Sequence, residues 1–314
     1  MTQKKELNAL YRNISSVVVG KKEPLLLTLA TLLCRGHLLI EDVPGVGKTV
    51  LARALARSVT AEFRRVQCTP DLLPSDITGV SIYNQKTSEF QFCPGPVFTQ
   101  FLLADEINRT TPRTQSSLLE CMAEQQVTVD GTTHAMDALF MVIATQNPVE
   151  FHGTFPLPEA QLDRFFMRIR MGYPSAQDEL AIMRMQNWTH PLDALQSVTT
   201  RKALLALQKQ VPEVEVEDSV ATYITALVRA TREHPDAELG ASPRGTVALM
   251  KASQAVALLG GKDFVTPQTV KQVAVPVLAH RLIVKQNAVL AGRHGEDLVG
   301  DVLNQVPVPV GPAA

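Results

Sequence analysis

Residues 41–49, Glu41-Asp42-Val43-Pro44-Gly45-Val46-Gly47-Lys48-Thr49, follow the apolar run His37-Leu38-Leu39-Ile40 and precede a helical pattern that begins at Val50. A strand that enters a glycine loop and leaves as a helix is a phosphate-binding arrangement. Gly45 and Gly47 let backbone N–H groups turn inward around phosphate oxygens. The positive end of the following helix points at the same anion. Lys48 can reach the β- and γ-phosphates, and Thr49 offers a hydroxyl to Mg²⁺. Asp42 stands where the general G-x-x-x-x-G-K-[ST] pattern has its first glycine. The competing reading is a strand–turn–helix junction that uses glycine for turning only; Val46-Gly47-Lys48-Thr49 after a strand is more specific than that.

A second apolar strand, Phe101-Leu102-Leu103-Ala104, ends in Asp105 and Glu106. Such a strand delivers its carboxylates to the crevice where open α/β sheets bind ligands. Asp105 is placed to hold Mg²⁺, directly or through water, and Glu106 to polarise an attacking water. Both acids could instead cap the next helix or face solvent, a weaker reading once a phosphate loop lies upstream. A second acid beside the metal carboxylate favours hydrolysis over transfer to a small molecule.

At 314 residues the chain has room for about two domains. Apolar residues make up 45 %, enough for a sizeable core. The net charge of −1, from 30 basic and 31 acidic residues, leaves no basic nucleic-acid footprint; the basic clusters are pairs such as Lys21-Lys22 and Arg64-Arg65. Cys34, Cys68, Cys93 and Cys121 form no C-x-x-C, so they read as reduced thiols of a cytoplasmic protein. His37 and His134 read as ordinary loop or strand-edge residues. No apolar h-region follows the first residues, and the apolar run 25–34 is too short to span a bilayer and reads as a buried helix.

Strands are expected near 37–41, 63–68, 101–105, 139–146 and 165–171, with helices near 24–35, 48–58 and 113–124. This is an α/β pattern with a mostly parallel five-stranded sheet. Two insertions interrupt it. Residues 79–92 read as a hairpin or loop, and 126–138 as a hairpin turning at Asp130-Gly131. After Tyr173-Pro174 the pattern is helical, near 176–188, 200–210, 217–233, 243–260 and 266–280. Ser175 with Asp178 marks one start and Thr266-Pro267 another. Met and Leu residues and Trp188 along these segments read as core. The organisation is therefore an α/β core over 1–172, a helical domain over 173–300 and an extended, proline-rich tail over 301–314 that is expected to be poorly ordered.

Three further polar residues stand near the sheet. Asn147 ends the apolar strand before Pro148; it is either an Asn-Pro turn residue or a hydrogen-bond donor to a γ-phosphate or its attacking water. Arg164 is either paired with Asp163, or solvated, or a guanidinium offered to phosphate in cis or in trans. Arg244 follows Ser242 as N-cap and Pro243 at the first helical position. A cation there is disfavoured by about 0.3–1 kcal/mol, so it either bends into solvent or answers an anion, of which nucleotide phosphate is one candidate.

Together these residues resemble the MoxR family of AAA+ ATPases, in the helix-2-insert group that also contains the magnesium-chelatase ATPase subunit. The resemblance covers about residues 8–300. It rests on Val18-Val19-Gly20, the 41–49 loop, Leu103-Ala104-Asp105-Glu106-Ile107-Asn108-Arg109, residues 114–120, Ala144-Thr145-Gln146-Asn147-Pro148, Leu162-Asp163-Arg164-Phe165 and Ser242-Pro243-Arg244-Gly245. An acidic residue at Asp42 fits this family. The resemblance implies an AAA+ P-loop core with an all-helical lid, using ATP and Mg²⁺ in a homo-oligomeric, hexameric ring. It assigns Lys48 and Thr49, with Gly45, Val46, Gly47 and Val50, to Walker A, and Asp105 and Glu106 to Walker B. Asn147 becomes sensor 1, Arg164 the arginine finger and Arg244 sensor 2; Val18, Val19 and Gly20 lie beside the adenine. Residues 79–92 fall at the helix-2 insert and 126–138 at the pre-sensor-1 hairpin. It further implies a chaperone role in maturing, activating or metal-loading protein clients, with a von Willebrand A-domain partner.

Three other functions compete with this ATP-hydrolysing motor. A nucleic-acid motor is disfavoured because the two insertions hold only Lys86 as a Lys or Arg, so counterion release would be small. A P-loop kinase is disfavoured by the acid pair and the helical C-terminal half. A nucleotide-gated scaffold with little turnover is compatible with the same residues.

Overall fold

Five short strands carry the apolar runs of the first half, and the computed structural model, which describes residues 2–148, 153–185 and 191–309, joins them into one sheet. In chain order the half contains α1 (Thr2–Ser15), α2 (Lys22–Leu33), β1 (Leu38–Glu41), α3 (Lys48–Val59), β2 (Phe63–Gln67), α4 (Pro74–Thr78), β3 (Gly79–Asn84), β4 (Glu89–Pro94), β5 (Phe101–Asp105), α5 (Pro112–Glu124), β6 (Gln126–Val129), β7 (Thr132–Ala135), β8 (Met141–Gln146), α6 (Glu159–Leu162) and β9 (Met167–Ile169). The sheet order is β2-β5-β8-β1-β9, parallel throughout. The register sets Gln67 opposite Asp105, and Glu41 opposite Gln146. The polar ends of four strands therefore meet along one edge, where ligands of open parallel sheets bind.

Period-two alternation divides the strand side chains between two cores. Leu38, Ile40, Phe101, Leu103, Met141 and Ile143 join α1, α2 and α3 on one face. Leu39, Leu102, Ala104, Val142 and Ala144 join α5 and Val127 on the other. Helix α1 was not expected from the sequence. Its buried Leu7, Leu10 and Ile14 recur at helical spacing between polar residues.

Both insertions are antiparallel hairpins, β3 with β4 and β6 with β7. Asp130 and Gly131 both have positive φ, 49° and 78°, as a two-residue turn between right-twisted strands requires. The hairpins touch through Phe92, whose ring stacks on His134 at 4.1 Å between centroids. His37 is buried rather than an edge residue: Nδ1 accepts the Val142 N–H at 3.0 Å, and Nε2 lies 3.1 Å from the Met122 carbonyl.

The second half is α7 (Ala176–Met185), α8 (Pro191–Ala194), α9 (Arg201–Gln210), α10 (Asp218–Glu233), β10 (Ala237–Leu239), α11 (Pro243–Leu259), α12 (Pro267–Leu278), β11 (Ile283–Val284), α13 (Gln286–Leu290) and α14 (Gly295–Gln305). Caps explain the starts. The Asp178 N–H donates to Ser175 Oγ at 3.2 Å, and the Thr269 N–H donates to Thr266 Oγ1 at 3.3 Å. Ser242 occupies the N-cap position of α11, yet its side chain makes no capping bond. The β10–β11 pair was not foreseen. Nor was α14, which continues to Gln305 and so takes the first five residues of the expected tail, because Leu298, Val299 and Val302 bury one face. Trp188, the predicted end of α7 at 186–188 and the tail residues 310–314 lie outside the described residues.

Burial lowers the pKa of His37 from its ordinary 6.5 to about 4. The folded chain then binds fewer protons than the unfolded one between those values, so stability falls as pH drops from about 6.5 to about 4. The loss from this group is about 3 kcal/mol. Burial and Arg281 push His280 the same way. Urea unfolding midpoints measured from pH 7 to pH 4 should show this slope, and His37→Asn, which keeps an acceptor without titrating, should flatten it.

Candidate nucleotide site

The loop between β1 and α3 is built from two conformations that L side chains rarely adopt. Gly45 and Gly47 have φ of 86° and 95°. A Cβ at Gly45 would meet nothing within 4 Å and one at Gly47 only the end of Met171, so backbone conformation, not space, demands glycine here. Gly47 is the N-cap of α3, which aims that helix's N-terminus into the loop. Lys48 is buried, with Nζ 2.6 Å from the Asp42 carbonyl.

Asp42 explains itself once the fold is seen. Its Oδ1 accepts the Val43 N–H at 2.8 Å, and its Oδ2 accepts the N–H groups of Met171 at 2.7 Å and Gly172 at 2.6 Å. Gly172, with φ of 64°, stands where the chain leaves the sheet for the helical half, and Lys21 Nζ donates to its carbonyl at 2.7 Å. The carboxylate thus fastens the phosphate loop to the junction between the two halves.

A cleft of about 400 Å³ brings together Gly45, Gly47, Lys48, Thr49, Val50, Asp105, Glu106 and Asn147, with Pro44 and with two residues that sequence reasoning missed, Arg65 and Gln67. Both missed residues lie on β2, two apart and so on one face. Arg65 Nη2 donates to Asp105 Oδ2 at 2.6 Å and to Gln67 Oε1 at 2.7 Å. Gln67 Nε2 donates to Glu106 Oε2 at 2.9 Å, and Arg109 Nη1 reaches the same oxygen at 3.1 Å. The doublet Arg64-Arg65 was the sequence signal for Arg65, and the register that sets both beside β5 appears only in the fold. Glu106 has φ of 58°, a strained value for a residue with a side chain. Its N–H donates to Thr145 Oγ1 at 2.8 Å, and that hydroxyl donates to Asp105 Oδ1 at 2.6 Å.

Thr49 and Asp105 offer hard oxygen donors in one cleft, and a guanidinium already rests on Asp105, so a cation fits there. Among the described residues no group of three or more His, Cys, Asp or Glu could hold a metal alone. Mg²⁺ itself is commonly held by one or two protein oxygens, with waters and phosphate oxygens completing its shell.

The other expected site residues do not line this cleft with their side chains. Val46, between the two glycines, and Val18 bury their side chains in the core. Gly20, with φ of 74°, is covered by the Asp178 carboxylate of α7, which a Cβ would meet at 2.3 Å. Val19 does not line the cleft. Arg164 is exposed and donates to the Leu119 carbonyl at 2.7 Å. Arg244 answers an anion, but that anion is Asp163 at 3.2 Å. Asp163 also pairs with Arg281 at 2.8 Å, so its partners are these two cations and not Arg164. Arg281 is buried, which lowers its pKa to about 10, and it donates to the Phe165 carbonyl at 2.7 Å.

A glycine loop and a tandem acid on a parallel sheet of order β2-β5-β8-β1-β9, followed by a helical domain, define a AAA+ ATPase with its lid. Family models agree: residues 37–167 match the ATPase family associated with various cellular activities, and 229–302 match the AAA lid domain. The chain is 40 % identical to chaperone MoxR1 of Mycobacterium tuberculosis, over 94 % of this chain and 80 % of that protein. It is 52 % identical to the uncharacterized protein YeaC of Bacillus subtilis, over 95 % and 93 %. A crystallised Cytophaga hutchinsonii protein assigned as an ATPase superposes with a TM-score of 0.91 at 37 % identity, covering 98 % of this chain and 96 % of that one. The chain belongs to the MoxR family of AAA+ ATPases. Magnesium-chelatase 38 kDa subunits are more distant, at 28 % identity over 58 % of the chain.

Asp42→Gly would restore the glycine of the general loop and leave three backbone N–H groups, at 43, 171 and 172, without their carboxylate. The expected loss is about 2–4 kcal/mol, read as a lower urea midpoint, whereas Arg244→Ala should move the midpoint little because that pair is exposed.

Proposed function

We propose that this chain hydrolyses ATP with Mg²⁺ and works as a hexameric ring that remodels, activates or metal-loads protein clients, together with a von Willebrand A-domain partner, in the cytoplasm. The observation that carries the hydrolytic part is the convergence of Lys48, Thr49, Asp105, Glu106 and Asn147 on one cleft. The chaperone part is supported by the name of the Mycobacterium tuberculosis relative.

In this reading the Gly45 to Gly47 backbone and the α3 N-terminus cradle the phosphates, and Lys48 leaves the Asp42 carbonyl for the β- and γ-oxygens. Thr49 and Asp105 would hold Mg²⁺, which neutralises charge developing on the phosphates. Glu106 takes a proton from the attacking water, and Asn147 orients that water or the γ-phosphate. Val18, Val19 and Gly20 lie beside the adenine. Arg164 does not line the cleft of its own chain and serves a neighbour's γ-phosphate. Arg244 exchanges Asp163 for phosphate when the lid closes.

One observation favours a second reading, a nucleotide-gated scaffold with little turnover. Glu106 Oε2 is held by Gln67 and Arg109, and Asp105 Oδ2 by Arg65, so both acids are engaged within the chain. A nucleic-acid motor gains no support, because Lys86 is the only Lys or Arg of the two hairpin insertions.

Two variants separate these readings. Lys48→Ala should weaken ATP by about tenfold or more in calorimetry, having lost a charge-assisted contact. Glu106→Gln should bind ATP normally and lose about 10²–10⁴ in phosphate release. Phosphate release equally slow in wild type and Glu106→Gln would favour the scaffold.

The trans assignment of Arg164 has its own test. Rings of Arg164→Ala alone and Lys48→Ala alone should both be inactive, the first short by about 10³–10⁵ in rate. Mixed rings contain interfaces with an intact Lys48 on one side and an intact Arg164 on the other, so ATPase activity should return. Light scattering establishes that each variant still assembles; silent mixed rings beside near-normal turnover in Arg164→Ala would remove the assignment.

A further inference from the structure

Both oxygens of Asp105 are taken. Oδ1 accepts the Thr145 hydroxyl at 2.6 Å. Oδ2 accepts two N–H groups of one guanidinium, Arg65 Nη2 at 2.6 Å and Nε at 3.1 Å. The Asp105 side chain is only 13 % exposed, whereas Arg65 is 44 % exposed. A carboxylate so far from water needs a counter-charge, and Arg65 supplies it at hydrogen-bond distance. Charge and exposure make the pair asymmetric: Asp105 is fixed between β2 and β8, and Arg65 can leave for solvent. Arg65 also has a second acceptor, Gln67 Oε1 at 2.7 Å, on its own strand.

We infer that Arg65 is the resident counter-ion of the metal carboxylate, displaced from Asp105 Oδ2 by the Mg²⁺ that arrives with nucleotide. The inference rests on reading the cleft as a Mg²⁺·ATP site. A dication on this oxygen and a guanidinium held to it at 2.6 Å would set like charges against each other at a carboxylate only 13 % exposed. One must go, and the exposed one goes. The exchange has two consequences of opposite sign. Without metal, Arg65 cancels the charge with which Asp105 would repel the phosphates. With metal, Arg65 is a competitor, so it raises the Mg²⁺ concentration needed to load the site. A residue that merely supports the fold would weaken both.

The test uses full-length protein and a fluorescent ATP analogue with a non-hydrolysable β,γ-imido link, titrated first in EDTA and then against MgCl₂. Arg65→Gln should weaken the analogue about three- to tenfold in EDTA and lower the Mg²⁺ midpoint by a similar factor. Mn²⁺ bound to the nucleotide complex, counted by electron paramagnetic resonance, should tighten by the same factor. Arg65→Lys, which keeps the charge, should restore wild-type behaviour in both arms. A Mg²⁺ midpoint unchanged or raised in Arg65→Gln overturns the inference while leaving the nucleotide site intact. Analogue binding that Lys48→Ala does not diminish overturns the site reading and this inference together.

Discussion

The carboxylate of Asp42 is the interaction on which the relation between the two halves depends. It takes three backbone N–H groups, one from its own loop and two from the chain leaving β9. Its carbonyl meanwhile receives Lys48 Nζ. One residue therefore touches Lys48 with its main chain and the lid junction with its side chain. A glycine, which the general loop pattern has at this position, could make the first contact and not the second. Lys48 and Gly172 therefore share one residue as their partner, which ties the glycine loop to the start of the lid.

Other ties cross between the halves, and each has a different strength. Asp163 receives Arg281 and Arg244, the first buried and the second 68 % exposed. The buried partner anchors, because a charge removed from water and left unpaired is costly. The exposed partner adds little, because solvent screens it. Near β9, Arg168 and Arg170 both bridge Glu41 at the end of β1 to Glu296 in α14. The lid is thus fastened by the backbone-directed carboxylate of Asp42 and the buried Arg281, while Arg244 and Arg170 make the more exposed contacts.

Local chemistry made the phosphate loop, the tandem acid, the Asp130-Gly131 hairpin and the capped helices legible in the sequence. In each of these, the residues that cause the conformation are neighbours along the chain. What stayed hidden depends on partners far away. Arg65 meets Asp105 across 40 residues and Asp42 meets Gly172 across 130. Neither distance leaves a periodic trace. Arg244 pairs with Asp163, which the sequence associates with Arg164 by adjacency alone. Helices α1 and α14 were legible in principle through Leu7, Leu10 and Ile14 and through Leu298, Val299 and Val302. Polar residues and a proline-rich ending masked them.

Adjacency was also an incomplete guide to why Asp105 and Glu106 act together. Along a continuing strand, consecutive side chains point to opposite faces, so a tandem acid would put only one carboxylate in the cleft. The chain breaks that alternation by turning Glu106 to φ of 58°. Such a backbone persists only where its surroundings over-determine it. Thr145 does so: its fully buried hydroxyl accepts the Glu106 N–H and donates to the Asp105 carboxylate. A single hydroxyl on β8 therefore ties the last residue of β5 to the acid that follows it, two residues before Asn147. The pair is a property of two strands in register, with the strain of one residue held by the side chain of the next strand.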